Sequence, residues 1–262
     1  MLNKVICMAN QKGGASKTTL SYNLSYALAK SGYKVLLIDT DSSYNLTSCF
    51  GADLDEIETP LNKLLEMLID NLDLPPKENY ILNNGVLDLI PGSSNLSATE
   101  VNIRNVAGGD MLLSEIVAEV REAYDYTVLD TCPSLGSLTI GALTASDSVI
   151  VPADPEIWTG NGMSDLFKTV NNVKQRLNKR LTIEGIVFSR CKTNTAHYQE
   201  MVSAVEQVYG GVVRIFETRI PESVMVGRAN ARSKSILEYA PKSRPAEAYR
   251  NLAKELVGNA QK

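Results

Sequence analysis

An α/β fold of three layers, a mainly parallel twisted sheet with helices on both faces, is what this sequence predicts. Two observations carry that prediction. Short β-branched runs recur between longer segments of helical period, and the first run passes through a glycine-containing turn straight into an amphipathic segment. The 262 residues are 44% apolar and 21% charged, enough for one sizeable core. That composition excludes a collagen-like, disordered or disulfide-scaffold chain.

Taken in order, strands are expected over 4–9, 34–39, 86–90, 126–130, 148–152, 184–189 and 212–216. A helix over 18–31 places Leu20, Leu24, Ala27 and Leu28 on one face, and Gly32 follows as its C-terminal stop. Met163, Leu166, Phe167, Val170, Val173 and Leu177 mark a second, longer helix. Near the end, Ala246, Tyr249, Leu252, Ala253, Leu256 and Val257 form a stripe of the kind that packs a helix on a core. The Pro- and Asn-rich stretch 71–85 reads as a surface excursion, and with no shift in composition 1–262 is expected to be a single domain.

Lys and Arg number 26 against 30 Asp and Glu, a formal charge of −4, which argues against wholesale coating of a polyanion. A local basic face stays open. The four cysteines are scattered without a C-x-x-C pair, and there is a single histidine, so a zinc knuckle is unsupported and a reducing interior is expected. The N-terminus is too short in apolar residues for a signal peptide, and the longest uncharged run, 131–146, is too short and polar to span a bilayer. The expected location is cytoplasmic.

The decisive segment joins V-I-C-M-A to N-Q-K-G-G-A-S-K-T-T, residues 5–19. A buried strand, a glycine turn and a helix N-terminus in succession converge backbone N–H groups on an anion. Gly13, Gly14, Ala15, Ser16 and Thr19 are its cradle. Lys17 would reach the β- and γ-phosphates of a nucleotide, and the Thr18 hydroxyl would coordinate Mg²⁺. The ordinary G-x-x-x-x-G-K-[ST] pattern is not met; K-G-G-x-x-K-T stands in its place, with an extra lysine, Lys12.

This motif resembles the deviant Walker A motif of the ParA/MinD family of P-loop ATPases. The resemblance implies a P-loop NTPase fold, ATP and Mg²⁺ as ligands, and a nucleotide-sandwich dimer in which Lys12 contacts the partner's nucleotide. Ser16 stands where family members usually carry Gly, close to phosphate oxygens. D-T-D-S-S-Y-N at 39–45 is similar to the family's D-x-D-P-Q-x-N. By that likeness Asp41 would polarise the attacking water and Asp39 would support the Mg²⁺ shell, with Ser42 and Ser43 in place of Pro-Gln. The strand ending at Asp130 reads as Walker B, holding Mg²⁺ through water. Its continuation through Asp147 is closely similar to ParA proteins and unlike MinD. Cys132 lies beside this site; the nitrogenase iron protein, a relative, uses cysteines for a cluster, but a small buried thiol is the preferred reading. By resemblance, the loop around Arg190 and the Ile220-Pro221 turn would hold the adenine.

Further likeness at 86–96, 220–224 and 235–255 extends the resemblance over nearly the whole chain. It implies a partition ATPase that dimerises with ATP, binds DNA without sequence specificity, associates with the nucleoid when ATP-bound, and is released when a ParB-type partner stimulates its slow hydrolysis. From 214 to 250 there are eight Lys or Arg against four acids, a local +4 that leaves −8 elsewhere. Such a region suits a phosphate-contacting face, with Lys192, Arg228, Arg232 and Lys234 as its expected contacts. Arg near Met225, which the family tends to carry, is lacking. Since the phosphate loop begins at Lys12, no N-terminal helix-turn-helix is expected. Two rival readings stand beside this one: a MinD-like or other positioning ATPase acting at a membrane or protein cluster, and a nucleotide-gated regulator with negligible hydrolysis. Membrane binding is disfavoured, because the C-terminal stripe reads as core.

Overall fold

The computed structural model describes residues 2–53, 57–155, 160–192 and 195–260. Among them, seven strands form one sheet: β1 (Lys4–Met8), β2 (Val35–Asp39), β3 (Leu82–Asn83), β4 (Asp88–Ile90), β5 (Tyr126–Asp130), β6 (Ser148–Ala153) and β7 (Thr182–Phe188). Their order is β3-β4-β2-β5-β1-β6-β7, and every pairing is parallel except β3 with β4. The chain therefore moves outward from β1 in both directions, and the crevice at its C-terminal end is where such sheets bind ligands.

Eleven α-helices lie among the described residues: α1 (Lys17–Lys30), α2 (Asn45–Phe50), α3 (Leu61–Ile69), α4 (Leu96–Ile103), α5 (Leu112–Val120), α6 (Ser137–Ala145), α7 (Gly160–Arg176), α8 (Ala196–Tyr209), α9 (Val224–Asn230), α10 (Ile236–Tyr239) and α11 (Arg244–Ala260). Strand alternation divides the apolar residues between two cores. Val5, Cys7, Leu36 and Ile38 face the layer made by α3 to α8. Ile6, Met8, Val35 and Leu37 face α1, α2 and α9 to α11. Three layers follow from burying both faces of a parallel sheet.

The first helix and the strands at 4–9, 34–39, 86–90, 126–130 and 148–152 form within two residues of the expected bounds; the strand expected over 184–189 begins two residues earlier. Gly32 follows α1 in the left-handed conformation, φ +96°. The C-terminal stripe is core: Ala246, Tyr249, Leu252, Ala253 and Leu256 are buried on the α1 side of the sheet. Among the described residues no helix is long and apolar enough to cross a membrane.

Two expectations are corrected. The run 212–216 is not a strand, since it makes one isolated bridge, Ile186 with Ile215. The next amides, of Glu217 and Thr218, donate instead to the Glu255 carboxylate at 2.8 and 3.0 Å, which ends the ladder at once. The excursion 71–85 is mostly exposed, as a surface segment is, and its end carries β3, hydrogen-bonded to β4 as an antiparallel edge. Cys132 is not buried; it is half-exposed, with Sγ 3.0 Å from the Ser134 hydroxyl, while Cys7, Cys49 and Cys191 are buried.

Candidate functional site

The turn between β1 and α1 is shaped by two left-handed residues, Gly14 at φ +78° and Ser16 at φ +64°. Alternating left-handed residues in a turn aims successive amides into one concavity, a nest for an anion. Glycine takes that conformation freely, whereas serine does so at a cost. Ser16 is the N-cap of α1 yet makes no side-chain capping bond, so its hydroxyl does not offset the cost. Ser16→Gly is accordingly expected to stabilise the fold by up to about 1 kcal/mol, and Ser16→Val to destabilise it by about 1–3 kcal/mol. Denaturant midpoints at constant slope measure both.

Asn10 anchors the loop from outside the cradle. Its Nδ2 donates to the Pro152 carbonyl at 2.6 Å and its Oδ1 accepts from the Lys12 amide at 3.0 Å. Lys17 is buried, and its Nζ donates to the Asn10 carbonyl at 3.1 Å. Burial pulls its pKa below the ordinary lysine value, an effect opposed first by Asp130 and then by Asp41.

Below the loop, Asp39 and Asp130 end adjacent parallel strands and are register partners. Both are fully buried. Asp130 accepts from Thr18 Oγ1 at 2.6 Å and Ser21 Oγ at 2.8 Å. Asp39 Oδ2 accepts from the Thr47 amide at 2.8 Å and the Thr47 hydroxyl at 2.7 Å, while its Oδ1 accepts from the Asp41 amide at 3.2 Å. Gly92 packs so close that a Cβ there would stand 2.8 Å from the Asp39 carbonyl.

Desolvation, with Asp130 alongside, pushes the Asp39 carboxyl up to about 7. Burial pushes Asp130 up to about 6, against the lowering by Thr18, Ser21 and Lys17. A carboxyl raised in the folded state keeps a proton that the unfolded chain has already released. Its stabilising contribution is full below the unfolded value, near 4, and is lost as pH rises through about 6–7. Nucleotide- and metal-free protein should therefore melt higher at pH 5.5 than at pH 8, and Asp39→Asn should flatten that dependence in a thermal scan.

Asp41 is buried at the mouth and holds the Ser43 amide at 2.9 Å. A cavity of about 590 Å³ is lined by residues 13–19, Asp41, Ser43, Asn45, Pro133 and Asn230, among others. A second, about 530 Å³, adjoins it between Ser16, Thr19, Arg190, Pro221 and Tyr249. The Arg190 loop and the Ile220-Pro221 turn do come together: the Cys191 amide donates to the Ile220 carbonyl at 2.9 Å, and Arg190 bridges Asp154 and Glu222. Lys12 stands partly exposed at the rim.

The structure thus gathers Gly13 to Thr19, Asp39, Asp41 and Asp130 at one end of the sheet. Lys192, Arg228, Arg232 and Lys234 do not line the cavity of about 590 Å³ and are exposed. Lys192 pairs with Glu222 at 3.6 Å, Lys234 with Glu238 at 2.7 Å, and Arg232 stacks on Tyr239 at 5.4 Å. Asn10, Ser21 and Thr47 escaped the sequence reading. Ser21 lies three residues after Thr18, on the same face of a helix, and that spacing was a usable signal. Nothing in the sequence marks Thr47, whose role depends on how α2 folds back on β2.

The AAA domain family matches residues 3–183. Over 260 residues the chain is 36% identical to the sporulation initiation inhibitor protein Soj of Bacillus subtilis, covering 98% of this chain and all of that one. It is 33% identical over 261 residues to the chromosome partitioning protein ParA of Myxococcus xanthus, covering 98% and 88%. Cobyrinic acid a,c-diamide synthase of Mycobacterium smegmatis, solved with an ATP analog and magnesium, superposes with a TM-score of 0.85 at 27% identity over 98% and 96% of the two chains. With the loop, the paired strand-end aspartates and the sheet order all in place, the chain belongs to the ParA/MinD family of P-loop ATPases.

Proposed function

We propose that this protein is a DNA partition ATPase: it binds Mg²⁺-ATP in the cavity over α1, closes as a dimer, binds DNA non-specifically and hydrolyses ATP slowly until a ParB-type partner stimulates it. The observation that carries the reading is the placement of the basic segment against the nucleotide cavity. Asn230 lines that cavity and stands between Arg228 and Arg232, both exposed. An exposed cationic segment so close to a phosphate site is suited to gain or lose DNA with the nucleotide state.

Thr18 and Asp130 supply hard oxygen donors that fit Mg²⁺, and a cation there would relieve the crowding of Asp130 and Asp39. Mg²⁺ supplies charge neutralisation on the phosphates. The chain's own residues do the rest. Backbone amides of 13–19 and the Lys17 ammonium cradle the phosphates and take up the negative charge that builds on them. Asp41, anchored by the Ser43 amide, orients a water and draws on its proton. Thr47 fixes the Asp39 carboxylate, and Asp39 through the Asp41 amide fixes the start of the segment that carries Asp41. Lys12, at the rim, reaches the nucleotide of the other subunit.

Mobility shifts with non-specific duplex DNA, run with Mg²⁺-ATP, with ADP and without nucleotide, test this. ATP-dependent retardation that weakens steeply with salt is expected. Retention on anionic liposomes without retention on DNA would favour the membrane-positioning reading, and the absence of turnover with DNA and partner present would favour a nucleotide-gated regulator. The residues beside the loop that differ from the family, Ser16, Ser42 and Ser43, make that last comparison informative.

A further inference from the structure

The segment 228–236 presents two sets of side chains. Arg228, Arg232 and Lys234 are exposed, while Asn230, Ser233 and Ser235 hydrogen-bond to the two helices of the nucleotide site, Ser233 from an exposed position. Asn230 Nδ2 donates to Thr19 Oγ1 at 3.4 Å, on the first turn of α1. Ser233 Oγ donates to the Ser48 carbonyl of α2 at 3.0 Å. Ser235 Oγ and the Ile236 amide donate to Asn23 Oδ1 of α1 at 2.9 and 2.8 Å, and Asn23 Nδ2 donates to the Thr19 carbonyl at 2.9 Å.

Two of these contacts differ from the third. Asn23 and Ser235 are wholly buried and each is held by short hydrogen bonds, a fixed pivot. Asn230 makes a long bond, and its Oδ1 is shielded from solvent with no hydrogen-bond partner among the described residues. Ser233 holds a left-handed conformation, φ +51°, against Gly51, also left-handed, where a Cβ would stand 3.0 Å from the Ser233 Cβ. An unsatisfied buried acceptor and a strained serine are features of an arrangement with an alternative.

We infer that Asn230 and Ser233 form a clasp between the basic segment and helices α1 and α2, through which phosphate-loop occupancy sets the placement of Arg228, Arg232 and Lys234. The inference rests on the DNA reading above and adds its regulation within one protomer. α1 begins at Lys17, and α2 begins four residues after Asp41, so a shift of either helix on nucleotide binding is delivered at Thr19 and Ser48. Asn230 and Ser233 are positioning residues, not DNA ligands. Because such coupling is reciprocal, DNA would raise nucleotide affinity by the same factor.

The test compares wild type with Ser233→Ala, an exposed and conservative change, and with Asn230→Ala. The ratio of DNA affinities with and without a non-hydrolysable ATP analogue should fall by about 2- to 30-fold in both variants. The salt dependence of DNA binding should keep its slope, whereas Arg232→Ala should reduce that slope by about one unit. An unchanged affinity ratio in both variants overturns the clasp, and so does a lowered salt slope in either. Hydrogen exchange decides the matter without DNA: the analogue should slow exchange over 228–240 in wild type and lose that effect in both variants. Nucleotide-insensitive exchange there in wild type overturns the clasp. Nucleotide-sensitive exchange in a protein that never binds DNA sinks the DNA reading and leaves the clasp standing.

Discussion

Lys17→Ala is expected to lower Mg²⁺-ATP affinity by about 100-fold or more, since it removes charge-assisted contacts each contributing about 1.5–3 kcal/mol. Titration calorimetry with Mg²⁺-ATP measures it. The same change should not lower thermal stability. The ammonium is buried, its pKa is drawn down by that burial, and it donates to the Asn10 carbonyl. Removing it relieves a desolvation cost while leaving Asn10 anchored to Pro152 and to the Lys12 amide. Loss of binding with an unchanged melting temperature is thus the expected pair of results. Retained nanomolar-to-micromolar affinity would refute the assignment of Lys17 to the phosphates. Lys12→Ala should differ in kind, keeping monomer affinity and losing the ATP-dependent dimer in sedimentation velocity.

Asp41→Ala should reduce turnover by about 10²- to 10⁴-fold, the range for a positioned proton-transfer group. Nucleotide affinity should stay within a few fold of wild type. The reason lies in the local geometry: Asp41 binds the Ser43 amide, whereas the phosphate cradle is built from the backbone of 13–19. The variant should accumulate as a DNA-bound dimer with ATP. Single-turnover hydrolysis with radiolabelled ATP checks the rate, and unchanged turnover would remove the catalytic role. Asp39→Ala should look different again. It leaves the Thr47 amide and hydroxyl without their acceptor, so its first symptom should be a less stable fold.

The parts of the site legible in the sequence are those whose chemistry depends on chain neighbours. Lys17 and Thr18 follow a glycine turn at a strand end, and Asp39 and Asp130 close apolar runs; strand, turn and helix N-terminus are contiguous, so periodicity and spacing reveal their places, whereas the roles expected of Asp39 and Asp41 came from the family resemblance. Helix α11 was legible for the same reason, its stripe at helical spacing being buried as expected. The strand expected over 212–216 failed because a ladder needs free amides along the strand, and those of Val212 and Val213 donate back to the Tyr209 carbonyl at the end of α8, at 2.9 and 2.8 Å. The carboxylate of Glu255, some forty residues away, takes the amides that would have continued it.

By itself, then, the sequence determined the alternation of strands and helices, the phosphate loop, the acidic strand ends and a basic region on a mildly acidic chain. Each of these is a local property, set by side-chain period, backbone preference and charge within a short window. Only the tertiary structure decided that Asp39 and Asp130 lie side by side and dry, that Ser21 and Thr47 support them, and that Ser16 occupies a left-handed turn. It alone joined the basic segment to α1 and α2 through Asn230, Ser233 and Asn23. Those relations span from a few residues to more than two hundred, and they arise because closing a parallel sheet between two helical layers brings distant strand ends to one rim.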